Sequence, residues 1–231
     1  MTTQKSTLLF MTALSAGVGI VWLVKRRKPQ MPGFSALQSV LAQKHGEPQV
    51  RRLAEQIRQR YFALLAERPL PANPVLGKHV TENILPGLAC YQILLQELND
   101  DQQAVLAEVD AVLRAWTLAK SRLLLAPLKL LPVPFRVFKL VFPQIMKRFP
   151  VEGWDFTFIE YSNEKVAFNG TRCFYLKTLT AYGAPELTAS FCKTDEVMAE
   201  LFPPEVQFIR PHTLGRGDEL CDFQYCYVEQ P

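Results

Sequence analysis

Hydrophobic positions in the first two thirds of the chain recur at helical spacing. Apolar side chains return every three or four residues across 50–64, 84–98 and 105–123, with charged or polar side chains between them. This period places the apolar side chains on one face of a helix, so the pattern predicts three amphipathic helices around a shared core. The predicted core positions are Val50, Leu53, Ile57, Tyr61, Leu64, Ile84, Leu88, Tyr91, Leu95, Leu98, Val105, Val109, Val112, Trp116, Ala119 and Leu123.

The pattern changes after Gly153. Residues 154–158 alternate between apolar and polar side chains, as a strand does, and residues 166–168 are placed to pair with them across a short turn. Residues 206–209 and 221–225 have the same character and predict two further strands. The four strands are short and alternating, which is typical of a small antiparallel sheet.

Two helices are predicted between these pairs of strands. The first runs from Arg172 to Tyr182, with Thr171 as its N-cap and Gly183 as the residue that ends it. The second occupies residues 185–202. Helices followed by a ββααββ region predict an α+β fold.

The N-terminus carries an uncharged stretch of 18 residues, 7–24, followed by four cations at 25–28. At 1.5 Å per residue the stretch spans about 27 Å, which is enough for the core of a bilayer. A signal peptide would have its cations before the apolar run, so we favour a retained transmembrane helix. Cations on the following side predict a single-pass membrane protein with the rest of the chain facing the cytoplasm.

This interpretation divides the chain into three parts. Residues 1–28 form the predicted membrane anchor, and residues 29–48 a linker that carries one short helix. Residues 49–231 then form a single α+β domain, which is long enough to bury a core of its own.

Residues 122–150 are very apolar, contain five prolines and carry only Lys and Arg as charged residues. One interpretation is an amphipathic element that rests on a membrane surface. The alternative is a segment that faces the core and leaves its cations in solvent. The sequence leaves both open.

Charge and cysteine content narrow the functional classes. The net charge is +4, and the four cations at 25–28 account for it, so nothing indicates a nucleic-acid partner. The five cysteines are odd in number and lack CxxC spacing, which favours reduced thiols over a disulfide framework. Their spacing matches no standard metal motif, and we predict no metal site.

Candidate chemistry is concentrated in the last sixty residues. Cys173 would lie in the first turn of its predicted helix, where free N–H groups favour a thiolate, and Cys192 and Asp195 would share one helix face. Further polar residues surround one hairpin: Arg210, His212, Asp218, Cys221 and Asp222. Each has a structural alternative, since free cysteines are usually buried hydrophobic residues and aspartates often close turns. In a regular strand Cys221 and Asp222 face opposite ways.

The ordered motifs of this region resemble the L-2-amino-thiazoline-4-carboxylic acid hydrolase family. They are Cys173-Phe174-Tyr175, Gly183-Ala184-Pro185-Glu186-Leu187, Phe191-Cys192-x-x-Asp195 and Arg210-x-x-Thr213-Leu214-x-x-Gly217-Asp218-x-x-Cys221-Asp222-Phe223. The resemblance covers about residues 80–228 and extends more loosely to Asn83, Pro86, Gly87 and Tyr91.

The resemblance implies hydrolysis of a small cyclic substrate such as a 2-aminothiazoline carboxylate. Attack at the ring carbon requires a thiolate or an activated water, together with an acid for the departing atom. Cys192 or Cys173 would be the nucleophile or a ligand, with Cys221 as a further catalytic residue. Asp195 or Asp222 would be the base or the orienting carboxylate. Arg210, with His212 and Asp218, would bind the substrate, and Arg210 would hold its carboxylate.

Two other functions remain open at this stage. The first is a non-catalytic domain that binds an apolar or tetrapyrrole-like ligand, or a protein partner at the membrane. The second is a structural role, in which the same Cys and Asp residues only maintain the fold. The sequence identifies no cofactor.

Overall fold

The computed structural model describes residues 30–98 and 101–229 of the chain. The predicted anchor, residues 7–24, lies outside these ranges. Within them, no helix combines the length and the apolar character needed to cross a membrane. The predicted single-pass membrane location, with the domain facing the cytoplasm, is therefore wrong for the described part of the chain.

The N-terminal two thirds of the described chain are helical, as predicted. The predicted helices are present as α2, α4 and α5, and Leu53, Ile57 and Leu64 on α2 are fully buried. The helices are α1 (Phe34–Leu41), α2 (Glu47–Glu67), α3 (Pro74–His79), α4 (Leu85–Glu97), α5 (Gln102–Leu125) and α6 (Pro134–Met146). A π-helical turn (Val80–Ile84) joins α3 to α4, and a 3-10 turn (Ala126–Leu130) follows α5.

The short helix predicted in the linker is part of the core. Leu37 and Leu41 of α1 have no exposed surface. At Gly33, which has a φ of 74°, an added Cβ would lie 2.8 Å from the Trp116 ring. Since these contacts join α1 to α5, the compact unit of the described chain begins at Met31 rather than at residue 49.

The C-terminal region contains one antiparallel sheet. Its strands are β1 (Asp155–Tyr161), β2 (Lys165–Arg172), β3 (Val206–Ile209) and β4 (Cys221–Tyr227), in the order β1-β2-β4-β3. Two helices, α7 (Phe174–Ala181) and α8 (Thr188–Ala199), lie between β2 and β3 in sequence. The α+β class and the small antiparallel sheet are confirmed.

The boundary between β2 and α7 differs from the prediction. Strand β2 continues to Arg172, so Thr171 is a strand residue and caps no helix, and α7 begins at Phe174. Gly183 ends α7 as predicted, with a φ of 72°. The amide of Ala184 donates to the carbonyl of Leu179, which closes the helix in a Schellman motif.

Within the apolar segment 122–150, one face of α6 packs against the sheet. Phe135, Phe138 and Phe142 project from one face of α6 and are buried in a cluster with side chains of β2, β3 and β4. This apolar face is covered by protein, so it is not available to rest on a membrane, and the core-facing interpretation describes it better. The predicted helix face of α5 ends before Leu123, which is 88% exposed.

Candidate functional site

A cavity of about 250 Å³ lies where the helical core meets the sheet. Trp154 and Phe191 belong to the helical core, whereas Phe142 and Phe168 belong to the cluster between α6 and the sheet. The wall is largely aromatic and is formed by Phe142, Phe149, Trp154, Phe156, Phe168, Tyr175, Phe191, Phe223 and Tyr225.

Five of the predicted site residues line this one cavity. Cys173 lies between β2 and α7, Cys192 and Asp195 lie on α8, Arg210 follows β3, and Cys221 begins β4. These elements are separated in sequence, and the folding of α7 and α8 over the sheet brings their side chains together.

Local geometry explains why these side chains converge. Cys192 and Asp195 are three residues apart on α8 and therefore share a face. Cys221 pairs with Gly170 of β2 in a regular register, which directs Cys221 and Phe223 to the same face of the sheet. The amide of Leu214 donates to Cys221 Sγ at 3.3 Å, and an added Cβ at Gly215 would lie 2.8 Å from Cys192 Sγ.

Asp195 and Arg210 form the charged pair of the cavity. Arg210 Nη1 donates to Asp195 Oδ2 at 2.5 Å, while Nη2 donates to the Cys192 carbonyl at 2.7 Å and to Glu196 Oε1 at 3.3 Å. The Arg210 side chain is only 2% exposed, whereas 33% of the Asp195 side chain is exposed. Burial raises the pKa of Asp195 and is opposed by Arg210.

The three thiols of the cavity are not activated. Burial raises the pKa of Cys173 to about 11, although the amides of Leu176 and Tyr175 donate to its sulfur. Burial also raises the pKa of Cys192 and of Cys221. Cys173 precedes α7 rather than lying in its first turn, and desolvation outweighs the helix N–H groups there. The expected thiolate is therefore disfavoured near neutral pH.

The other three predicted residues are not among those that line the cavity. Asp222 lies on the opposite face of β4 from Cys221 and accepts from the His212 amide at 2.8 Å and from His212 Nδ1 at 2.9 Å. These hydrogen bonds raise the pKa of His212; for Asp222 they outweigh burial and lower the pKa. Asp218 accepts from the Thr213 amide at 2.6 Å and closes a turn. All three hold the loop between β3 and β4.

Sequence reasoning missed His79 and Arg172, which both line the cavity. His79 Nε2 contacts the Arg148 carbonyl at 2.7 Å, and Nδ1 contacts the Tyr175 hydroxyl at 3.0 Å. The carbonyl can only accept, so Nε2 carries the proton and Nδ1 accepts from Tyr175. Burial lowers the pKa of His79, which keeps the ring neutral. An isolated histidine in a helical pattern does not indicate a cavity, and the sequence predicts Arg172 as the first residue of a helix rather than the last of a strand.

Within residues 30–98 and 101–229, no group of three or more His, Cys, Asp or Glu side chains is arranged to hold a metal ion. Cys192 and Cys221 instead accept hydrogen bonds from the loop that contains Leu214 and Gly215. Among the described residues that line the cavity, the polar chemistry includes one carboxylate, two guanidinium groups, one neutral histidine and three protonated thiols on an aromatic wall.

Comparison with known proteins identifies one family. The family model described as L-2-amino-thiazoline-4-carboxylic acid hydrolase matches residues 79–225. No curated protein matches the chain.

Among solved structures, the Fe(II) unliganded H-NOX protein from K. algicida aligns at 13% identity and a TM-score of 0.37. The alignment covers 87% of this chain and 98% of that chain. An alanine-to-glycine mutant of that protein aligns at 12% identity with a TM-score of 0.38 and the same coverage. At these scores the likeness supports no conclusion about this chain.

Proposed function

Since the chain belongs to the L-2-amino-thiazoline-4-carboxylic acid hydrolase family, we propose that its cavity binds a small planar ring compound through hydrogen bonds to Asp195. The observation that carries this proposal is the position of Asp195. Among the described residues that line the cavity it is the only carboxylate, and it is partly exposed on an otherwise aromatic wall. A carboxylate is an acceptor, so it selects a ligand with N–H donors, such as an amino group on a ring.

The size of the cavity supports a single ring. An apolar cavity of about 150 Å³ holds benzene, so 250 Å³ accommodates one ring with small substituents. Pockets for larger, drug-sized ligands span roughly 300–1,000 Å³, which argues against the tetrapyrrole-like ligand considered above. Aromatic side chains on both walls suit a flat ligand, because offset and edge contacts between rings are favourable.

We assign Arg210 a positioning role in this proposal. Its guanidinium is buried and donates to Asp195, the Cys192 carbonyl and Glu196, so it is not free to hold a ligand carboxylate. It lies 5.5 Å from the centroid of the Phe208 ring and 5.3 Å from that of Phe223. These contacts hold the guanidinium in place, and through it the orientation of Asp195.

Hydrolysis of the bound ring is a second candidate function. It is favoured by the raised pKa of Asp195, which makes the carboxylate a stronger base than an exposed aspartate. Water would add to the ring carbon between nitrogen and sulfur and pass a proton to Asp195. Asp195 would return that proton to the ring nitrogen. The second proton of the added water would follow to the same nitrogen as the carbon–nitrogen bond breaks, which leaves an amine and a carbonyl carbon that is still bonded to sulfur. Water suits this role better than the cavity thiols, whose raised pKa keeps them protonated.

Substitution of Asp195 tests the binding proposal. Isothermal titration of the full chain with 2-aminothiazole should show binding, and Asp195→Asn should weaken it by about tenfold or more, because a charge-assisted hydrogen bond is lost. Glu196→Gln is the matched control: Glu196 also contacts Arg210 but does not line the cavity, so its affinity should stay near wild type. Equal affinities in Asp195→Asn and wild type would overturn the proposal.

The hydrolysis candidate has a separate readout. Incubation with 2-aminothiazoline-4-carboxylate, followed by chromatography, should show ring opening that Asp195→Asn abolishes and that survives Cys→Ser changes at Cys173, Cys192 and Cys221. Binding without ring opening would leave the protein a ligand-binding member of its family. Loss of turnover in one Cys→Ser variant that still binds the probe would instead assign the nucleophile to that thiol.

A further inference from the structure

We infer that Arg172 binds an anionic group of the ligand at the mouth of the cavity. This role rests on the proposed binding at Asp195 and extends it to a second contact. Of the described residues that line the cavity, Arg172 and Ile145 are the exposed ones, so the cavity reaches solvent beside Arg172.

Arg172 lies at the end of β2, at a shift in the register with β1. Gly170 pairs with Phe156 and Arg172 pairs with Asp155, which leaves Thr171 as the extra residue between them. Phe168, Gly170 and Arg172 all line the cavity. An added Cβ at Gly170 would lie 2.9 Å from the Phe156 ring, so the cavity wall has no room for a larger residue at this position. Arg172 is the last residue of β2 and borders the cavity there.

Backbone carbonyls hold the guanidinium and leave part of it available. Arg172 Nη2 donates to the Val151 carbonyl at 2.6 Å and to the Trp154 carbonyl at 3.4 Å. Asp155 is its cross-strand partner in register, but across the described residues no carboxylate forms an ion pair with Arg172. Within the described residues, the hydrogen bonds of Arg172 are made by Nη2, so Nε and Nη1 can donate to another acceptor.

No other lining side chain offers this charge. Arg210 is buried and paired with Asp195, and His79 is neutral with both ring nitrogens engaged. A carboxylate on a ligand therefore has one cationic partner at the cavity, which is Arg172. The ligand class that fits both ends is a small ring with N–H donors facing Asp195 and a carboxylate, or a comparable anion, facing Arg172.

A pair of probes that differ only in the carboxylate tests this assignment: 2-aminothiazole and 2-aminothiazole-4-carboxylate. In isothermal titration of the full chain, Arg172→Gln should weaken the carboxylate-bearing probe by roughly tenfold or more, because a charge-assisted hydrogen bond is removed. It should leave the affinity for 2-aminothiazole unchanged. Arg172→Lys, which keeps the charge, should retain part of the preference for the carboxylate.

Two controls separate a direct contact from a general effect. Lys147→Gln removes an exposed cation that does not line the cavity, and both affinities should stay near wild type. Added salt should weaken binding of the carboxylate probe to wild type and have little effect on Arg172→Gln. A structural role of Arg172 would not reproduce this salt dependence.

The outcomes distinguish the role of Arg172 from the proposed ligand binding at Asp195. If both probes bind wild type and Arg172→Gln weakens neither, or weakens both equally, Arg172 does not bind the anion and the Asp195 proposal stands. If neither probe binds wild type, both are overturned. Unchanged far-UV circular dichroism and melting temperature show that Arg172→Gln is folded. If it is not, the test is the salt dependence of wild-type binding: added salt should weaken the carboxylate probe and not 2-aminothiazole, and equal effects on both would overturn the assignment.

Discussion

Burial determines the direction of the pKa shift of all three cavity thiols, although their hydrogen-bond partners differ. Cys192 accepts hydrogen bonds from the Thr213 hydroxyl and the Gly215 amide, and Arg210 favours its thiolate. Cys221 accepts from the Leu214 amide. Burial nevertheless raises the pKa of each thiol, because removing a thiolate from water costs more than these contacts return.

The pKa of Cys173 leads to a prediction about its reactivity. With a pKa of about 11, the alkylation rate of Cys173 by iodoacetamide should rise about tenfold per pH unit from pH 8 to pH 10, because the rate follows the thiolate fraction. An unperturbed thiol, with a pKa of about 8.5, would level off over that range. Mass spectrometry of the labelled peptide measures the rate.

The same chain in urea supplies the control for this experiment, since Cys173 should then titrate as an ordinary thiol. Circular dichroism at each pH checks that the native chain remains folded. A plateau below pH 10 in the folded protein would show that the helix N–H groups stabilise a thiolate after all.

Among the helices, the contact of α4 with α8 depends on one glycine. An added Cβ at Gly87 on α4 would lie 2.6 Å from Phe191 Cζ on α8. Phe191 also lines the cavity, so this close approach of helix to ring sets part of the cavity wall. A second link joins the same helical core to the turn before α8, where the Tyr91 hydroxyl donates to Glu186. Gly87, Tyr91 and Glu186, which belong to the family motifs, therefore fix the packing of α8, the helix that contains Cys192 and Asp195.

Gly87→Ala and Gly77→Ala form a matched pair of helix variants. Gly87→Ala should lower the free energy of unfolding by about 1–3 kcal/mol, because the new methyl group collides with Phe191. Gly77 lies on α3, and its added Cβ would meet only the Pro71 carbonyl, at 4.0 Å. Gly77→Ala should therefore be neutral or stabilise the protein by up to about 1 kcal/mol.

Urea denaturation followed by circular dichroism measures both variants. A Gly87→Ala protein as stable as wild type would mean that Phe191 moves at no cost. In that case the Phe191 ring can move away from α4, and the contact between Gly87 and Phe191 does not fix the volume available to a ligand.

Across the whole molecule, two hydrophobic clusters meet at the cavity. One contains the helical core from Met31 to Phe191, and the other lies between α6 and the sheet. Phe156 packs against both clusters and lines the cavity. A ligand bound there would contact both clusters and should stabilise them together.

We predict that the two clusters unfold together, because they share Phe156 and the cavity wall. Leu53→Ala should cost about 2–5 kcal/mol and Phe138→Ala about 3–5 kcal/mol, the usual range for large buried side chains. In each variant, urea transitions measured by far-UV and near-UV circular dichroism should have the same midpoint. A Phe138→Ala protein that loses its near-UV signal first would show that the sheet cluster unfolds independently.

The sequence by itself determined most elements of this protein and pointed to five of the residues that line its cavity. Helical spacing identified α2, α4 and α5, alternation identified the strands, and the ordered motifs identified the family, because these features depend on neighbours in sequence. The local signals failed at Thr171 and Arg172, where the capping rule predicted a helix. Arg172 instead pairs with Asp155 of β1, so β2 continues through Thr171 to Arg172, and pairing is a long-range contact that propensity does not encode.

Only the tertiary structure decided what each site residue faces. Burial could not be read from the sequence, and it reversed the expected ionisation of Cys173 and committed Arg210 to Asp195. Strand register placed Cys221 in the cavity and Asp222 on the other face, where it holds His212. His79 and Arg172 reach the same cavity from distant parts of the chain. The desolvation of a side chain and the direction in which it points depend on its three-dimensional surroundings. Those surroundings exist only once the helices have packed on the sheet.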